Sequence, residues 1–150
     1  GLTQNIIKKT IEKLCFNGSK KENLIVALGP AISIRNYQVN LSIVKMLYQS
    51  LSLNETISDK EIIRRLMSKG CLKSNRSSEE IYLDIRHFAK LQLFYEGLID
   101  KQVSMNTDCT FSKEKLFESW RREKSKKRQW SFIASKNSAR SHNSFRQIPT

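Results

Sequence analysis

Segments with helical spacing of apolar residues alternate along this chain with short unbroken apolar runs, and that alternation restricts the fold more than any other sequence feature. Leu2, Ile6, Ile7, Ile11, Leu14 and Cys15 recur at helical intervals with Lys8, Lys9 and Lys13 between them. Residues 2–16 therefore read as an amphipathic helix, ended by Asn17-Gly18-Ser19. Residues 24–28, Leu-Ile-Val-Ala-Leu, form an apolar run closed by Gly29-Pro30, the pattern of a buried strand and a turn. Asn40 can cap a helix carrying Leu41, Val44, Leu47, Tyr48 and Leu51 on one face. Ser58 and Glu61 have capping-box spacing ahead of Ile62, Ile63, Leu66 and Met67, and Gly70 suits the C-terminal stop. Residues 81–85 alternate as a strand, and Asp84 or a neighbour can open a helix running through Phe88, Leu91, Gln92 and Tyr95 to Gly97. Beyond it the pattern predicts a strand at 98–104, a short helix at 112–117 and a last strand at 129–134. This order specifies an α/β (α+β layered) domain, a mixed β-sheet with flanking helices, over a bundle or a barrel.

A chain of 150 residues, 39% hydrophobic with 5 Gly and 2 Pro, has the material for one hydrophobic core and not the composition of a disordered or collagen-like polymer. No apolar run approaches the roughly 18 residues that span a bilayer, and no segment resembles a secretory leader, so a cytoplasmic protein is expected. Cys15, Cys71 and Cys109 lie far apart without a CxxC pair, which points to reduced thiols rather than disulfides or a zinc ribbon.

The formal charge of +13 raises nucleic acid as a partner. Much of it is terminal: from Trp120 onward the chain has nine Lys or Arg and one Glu. The densest run, Arg121, Arg122, Lys124, Lys126, Lys127 and Arg128, can hold phosphate or form a solvated hairpin. Trp120 and Trp130 flank it, as base-stacking residues or as core and rim residues. The segment 135–150, rich in Ser, Asn and Arg, is expected to be a flexible basic tail. His87 and His142 stand too far apart to make a local metal site, Cys109 reads as a structural thiol, and Gly29-Pro30 lacks the pattern of a nucleotide loop. Taken alone, these residues identify no reaction.

Three blocks in order carry more information. They are Gly1-Leu-Thr with the first helix, then Glu22-Asn-Leu-Ile-Val-Ala-Leu-Gly-Pro-Ala-Ile32 and Tyr37-Gln-Val39; Tyr82-Leu-Asp-Ile85; and Asp108-Cys-Thr-Phe-Ser112, Phe117-Glu-Ser-Trp-Arg-Arg122, Arg128 and Ser131-Phe-Ile133. Together they resemble the laccase-domain, or polyphenol oxidase, family of YfiH-like proteins, also described as zinc-dependent purine nucleoside phosphorylases. The resemblance covers residues 1–134, is thin from 53 to 78, and implies the C-terminal part of that fold. It departs at Lys127, where the family has Gly, at Trp130, where it prefers Ala, and at Glu118, where an aromatic or Pro is common. A reshaped hairpin is therefore expected there.

In that family a His-Ala-Gly-Trp-Arg-Gly motif precedes the first of these helices, and Gly1 looks like its last residue. The resemblance thus implies an upstream portion holding the zinc ligands, two histidines and a cysteine, none of which can be placed in this chain. Neither Cys109 nor His87 replaces them. The implied reaction is phosphorolysis of purine nucleosides such as adenosine or inosine, with adenosine deamination beside it. Arg121 and Arg122, with Arg35 behind them, are the expected phosphate contacts, because a planar guanidinium grips phosphate oxygens bidentately. The chain by itself is expected to hold no stoichiometric zinc, to lack phosphorylase activity and to associate through uncovered surfaces. Copper is disfavoured, since no cluster of histidines suits it. A basic single-stranded nucleic-acid-binding module, or a hydrolase of the same family acting on cell-wall precursors, are the alternative functions.

Overall fold

The computed structural model describes residues 1–51, 53, 55–74, 80–124, 127 and 131–134. Side-chain caps set where the longer helices begin. In α2 (Leu41–Gln49) Asn40 Oδ1 accepts from the Ile43 amide at 3.0 Å, and in α3 (Asp59–Ser68) Ser58 Oγ accepts from the Glu61 amide at 3.3 Å. In α4 (Ile85–Tyr95) Asp84 Oδ1 accepts from the Arg86 and His87 amides, both at 3.0 Å. Each cap satisfies donors that a helix start leaves unpaired. The Ser58 capping box is only half made. Glu61 turns to Arg64 and Arg65, at 2.7 and 2.8 Å, because charge-assisted bonds to two guanidinium groups outcompete one to a peptide N–H. The first amphipathic segment is divided: a 3-10 turn at Leu2–Gln4 precedes α1 (Ile6–Phe16), and Asn5 between them is left-handed at φ 56°. Gly70, at φ 69°, closes α3; its amide donates to Met67 O and that of Cys71 to Leu66 O.

Parallel and antiparallel pairing are both present, in separate sheets. Strand β1 (Val26–Leu28) pairs in parallel with β5 (Val103–Met105), Val26 opposite Val103. Strands β2 (Gln38–Val39), β3 (Leu72–Ser74) and β4 (Ile81–Leu83) form an antiparallel sheet in the order β2-β4-β3. The sheets match two cores. The larger gathers Val44, Leu47 and Tyr48 of α2, Ile62 and Leu66 of α3, Leu72, Ile81 and Leu83 of the three-stranded sheet, and Phe88 of α4. The smaller joins Ile11 of α1, Leu93 of α4 and Leu98 to Val26, Leu28 and Val103 of the parallel pair. One helix, α4, thus feeds both cores.

Several elements differ from the sequence pattern. The run 24–28 is a strand only over Val26–Leu28, and Ile25, just ahead of it, is 76% exposed rather than buried. The predicted strand 98–104 yields its middle to a 3-10 turn, Asp100–Gln102. There Gln102 Oε1 accepts from the Ile99 amide while its Nε2 donates to Lys21 O and Leu24 O at 2.9 and 2.8 Å. No helix forms at 112–117. The carbonyls of Thr110, Phe111 and Phe117 accept from the Arg122 guanidinium at 2.7–2.9 Å, so the chain folds as turns around that side chain. A short helix, α5 (Trp120–Glu123), instead occupies the start of the basic run, ending at Lys124 with φ 56°. Of the predicted last strand, residues 131–134 lie outside any strand, while Gln129 and Trp130, like Arg128, Lys126, His142 and the tail 135–150, fall outside the described residues.

Candidate functional site

Parallel strands leave the chain's functional groups at their carboxyl ends, and in β1 and β5 both motif-bearing segments emerge there. Pro30 has no amide proton and interrupts the ladder after Leu28. Pairing resumes beyond it: Ala31 N donates to Asp108 O, and Thr110 N to Ala31 O at 3.2 Å. Arg86, buried at the start of α4, holds the β5 side in place by donating to Asn106 O and Asp108 O at 2.8 and 2.9 Å. Gly29 packs closely under Ser131: a Cβ there would stand 2.9 Å from Ser131 Oγ, so that side chain would have to move.

A cleft of about 400 Å³ opens over this junction. Pro30, Ala31 and Thr110 line it together with Tyr37, Ile85, and Trp120 and Arg121 of α5. The Arg121 guanidinium lies over the Tyr37 ring, 5.0 Å from its centroid, which aligns a cation at the cleft without consuming its hydrogen-bond donors. Glu118 and Lys127 also line the cleft and are hydrogen-bonded to each other at 3.3 Å. A second hollow, of about 440 Å³, lies along α4 and is lined by Lys69, His87, Lys90, Leu91, Phe94 and Tyr95; there His87 pairs with Asp84 at 3.0 Å, and Lys90 with Asp100. The first cleft is the better candidate because two distant motif blocks converge on it.

The three arginines singled out from sequence do different things. Arg121 faces the cleft. Arg122, its side chain 15% exposed, directs its donors inward to the carbonyls of Thr110, Phe111 and Phe117 and to Glu123. Arg35 is exposed in a 3-10 turn, Ile34–Asn36, and is not part of the cleft wall. Adjacent sequence positions thus separate into a solvent-facing cation and a structural clamp.

Cys109 sits behind the cleft and is not the inert thiol that its sequence context suggests. Its Sγ accepts from the Ser33 amide at 3.3 Å and from Asn36 Nδ2 at 3.6 Å, while Asn36 Nδ2 also reaches Ser33 Oγ and Ser112 Oγ, each at 3.1 Å. Burial pushes the thiol up, but hydrogen bonds from Ser33 and Ser112 outweigh it and bring it down to about 6. Cys71 is the opposite case: burial first, then the charge of Asp84, pushes it up to about 12. Part of the signal for Cys109 was local, in Ser112, and part lay in Ser33 and Asn36, more than seventy positions away.

Zinc does not fit these groups. Among the described residues no three His, Cys, Asp or Glu side chains cluster closely enough to hold a metal ion, and the neighbours of Cys109 are hydroxyls and an amide rather than metal-ligating groups. No helix of the described residues is long and apolar enough to cross a membrane.

The family described as multi-copper polyphenol oxidoreductase laccase matches residues 1–136. A protein of Synechocystis sp. named as a purine nucleoside phosphorylase is 34% identical over 139 residues, covering 90% of this chain and 52% of that relative. The chain therefore spans about half the relative's length. In structure it is similar to YlmD from Geobacillus stearothermophilus, with a TM-score of 0.65 at 22% identity over 83% of this chain and 41% of that one. It is also similar to the Bacillus licheniformis protein YfiH, with a TM-score of 0.59 at 17% identity over 83% and 42% of the two chains.

Proposed function

This chain belongs to the multi-copper polyphenol oxidoreductase laccase family, and on that premise we propose that it supplies the phosphate-holding wall of a purine nucleoside phosphorylase site. The observation that carries the reading is Arg121, held over Tyr37 at the rim of a cleft formed where β1 and β5 end. In phosphorolysis a phosphate oxygen bonds to the ribose C1′ as the bond from C1′ to the purine nitrogen breaks, and the departing electron pair goes to the base. The side chains described here act on the phosphate half of that exchange. Arg121 neutralises and orients the anion through its planar fork. Thr110 and the apolar surfaces of Pro30, Ile32 and Tyr37 line the cleft and limit water. Arg122 acts on the site indirectly, by fixing the 110–117 turns that carry Thr110. Arg35 has no part in this reading. Zinc enters no step of it, and the chain alone is expected to show no phosphorolysis.

The test is titration of inorganic phosphate into the chain, followed by amide chemical shifts. Shifts are expected at Ala31, Thr110 and Arg121, and Arg121→Ala should weaken binding roughly 10- to 100-fold, the loss of one charge-assisted interaction. Unchanged binding in that variant overturns the assignment. A nucleic-acid surface is the second reading, favoured by Trp120, which is 55% exposed beside Arg121. Against it, Lys124 already lies over the Trp120 ring at 4.1 Å. Tight, steeply salt-dependent binding of a single-stranded oligonucleotide would reverse that preference.

A further inference from the structure

Gln92 lies in the middle of α4, 5% exposed, and its two amide atoms have unequal surroundings. Nε2 donates to Leu2 O at 3.0 Å and to Ser50 Oγ at 2.8 Å, whereas Oε1 has no hydrogen-bond partner among the described residues. The orientation is fixed, because Leu2 O can only accept; turning the amide over would set two carbonyl oxygens against each other. A second buried acceptor, Asn5 Oδ1, is likewise without a partner among the described residues. Asn5 and Gln92 line the same small cavity, with Lys8, Ser50 and Glu96 around it. The two unpaired acceptors thus belong to residues, far apart in sequence, that wall one cavity.

We propose that this junction of α1, α2 and α4 is a binding site for one water molecule, which donates one hydrogen to Asn5 Oδ1 and the other to Gln92 Oε1. The space is about 10 Å³, enough for a single water. The donor count also fits, since water has two hydrogens to give and the site offers two acceptors. Hard metal cations collect about six or more oxygens, and Ser50 Oγ is already committed, donating to Leu47 O and accepting from Gln92. Lys8, at the cavity wall, would have to shed its hydration to place an ammonium in so small a space. The water holds Asn5 Oδ1 inward and so keeps the left-handed residue between the 3-10 turn and α1 in its conformation. It ties the start of the chain to α4 beside the direct bond from Gln92 to Leu2.

A high-resolution crystal structure of the chain and its Lys8→Met variant tests this. One solvent peak within hydrogen-bond distance of both oxygens is expected in each, with a matching slow-exchange water cross-peak to the Gln92 side-chain amide in solution. Gln92→Leu should abolish the peak; should that variant fail to fold, the wild type and Lys8→Met still decide. Lys8 Nζ occupying the position, a peak lost in Lys8→Met, no peak at all, or an anomalous signal after thallium soaking would each overturn the proposal.

Discussion

Arg122 and Cys109 show how far a residue's role departs from its type. A guanidinium has a fixed planar fork, and Arg122 uses it to collect three main-chain carbonyls from the 110–117 turns; an ammonium has the charge without the fork. Arg122→Lys is therefore expected to destabilise the fold by about 2 kcal/mol, read as a lower urea midpoint, with a smaller loss for Arg121→Lys. Of Cys109 and Cys71, Cys109 should be the reactive thiol. Its iodoacetamide labelling is expected to rise through pH about 6 and then level off, while Cys71, pushed up to about 12, stays unlabelled in the folded chain at neutral pH. Because the Cys109 value is lowered on folding from 9.0, its stabilising contribution is complete above pH about 9 and is lost as pH falls through about 6. Urea midpoints of wild type and Cys109→Ala should converge across that window as the pH is lowered. Equal labelling rates for Cys109 and Cys71 would contradict this account.

Elements with a side-chain cap and a sustained apolar face were legible in the sequence, and those made by distant partners were not. Asn40, Ser58 and Asp84 mark helix starts that formed as expected, since capping is settled within a few residues. Replacing Asn40 or Ser58 by Ala should cost about 1 kcal/mol each by thermal or urea unfolding. Gly70→Ala should cost a similar amount, about 1 kcal/mol, through strain at φ 69°. Strands β2 and β3 escaped notice because segments as short as Gln38–Val39 and Leu72–Ser74 show no period. Their pairing with β4 exists only once that strand is beside them. The predicted helix at 112–117 is replaced by turns whose bounding carbonyls, at Thr110, Phe111 and Phe117, accept from Arg122, a partner outside that segment.

At the scale of the molecule, two small sheets share one connecting helix and leave considerable apolar surface outside. Ile25, Phe16, Leu116, Phe132 and Ile133 are all exposed, with Phe132 at 89%, and among the described residues the parallel sheet has two strands. Such surfaces favour association. Sedimentation velocity is expected to show concentration-dependent assembly, relieved by Phe132→Ser with Ile133→Ser; an unchanged monomer at every concentration would refute it. By itself the sequence determined the family, the alternation of helices with strands and the capped helix starts, because periodicity, caps and motif order are local properties of a chain. Only the tertiary structure decided that Arg121 faces a cleft while Arg122 turns inward, and that Cys109 meets Ser33 and Asn36. Those outcomes depend on which carbonyls, rings and amides are brought alongside from distant segments.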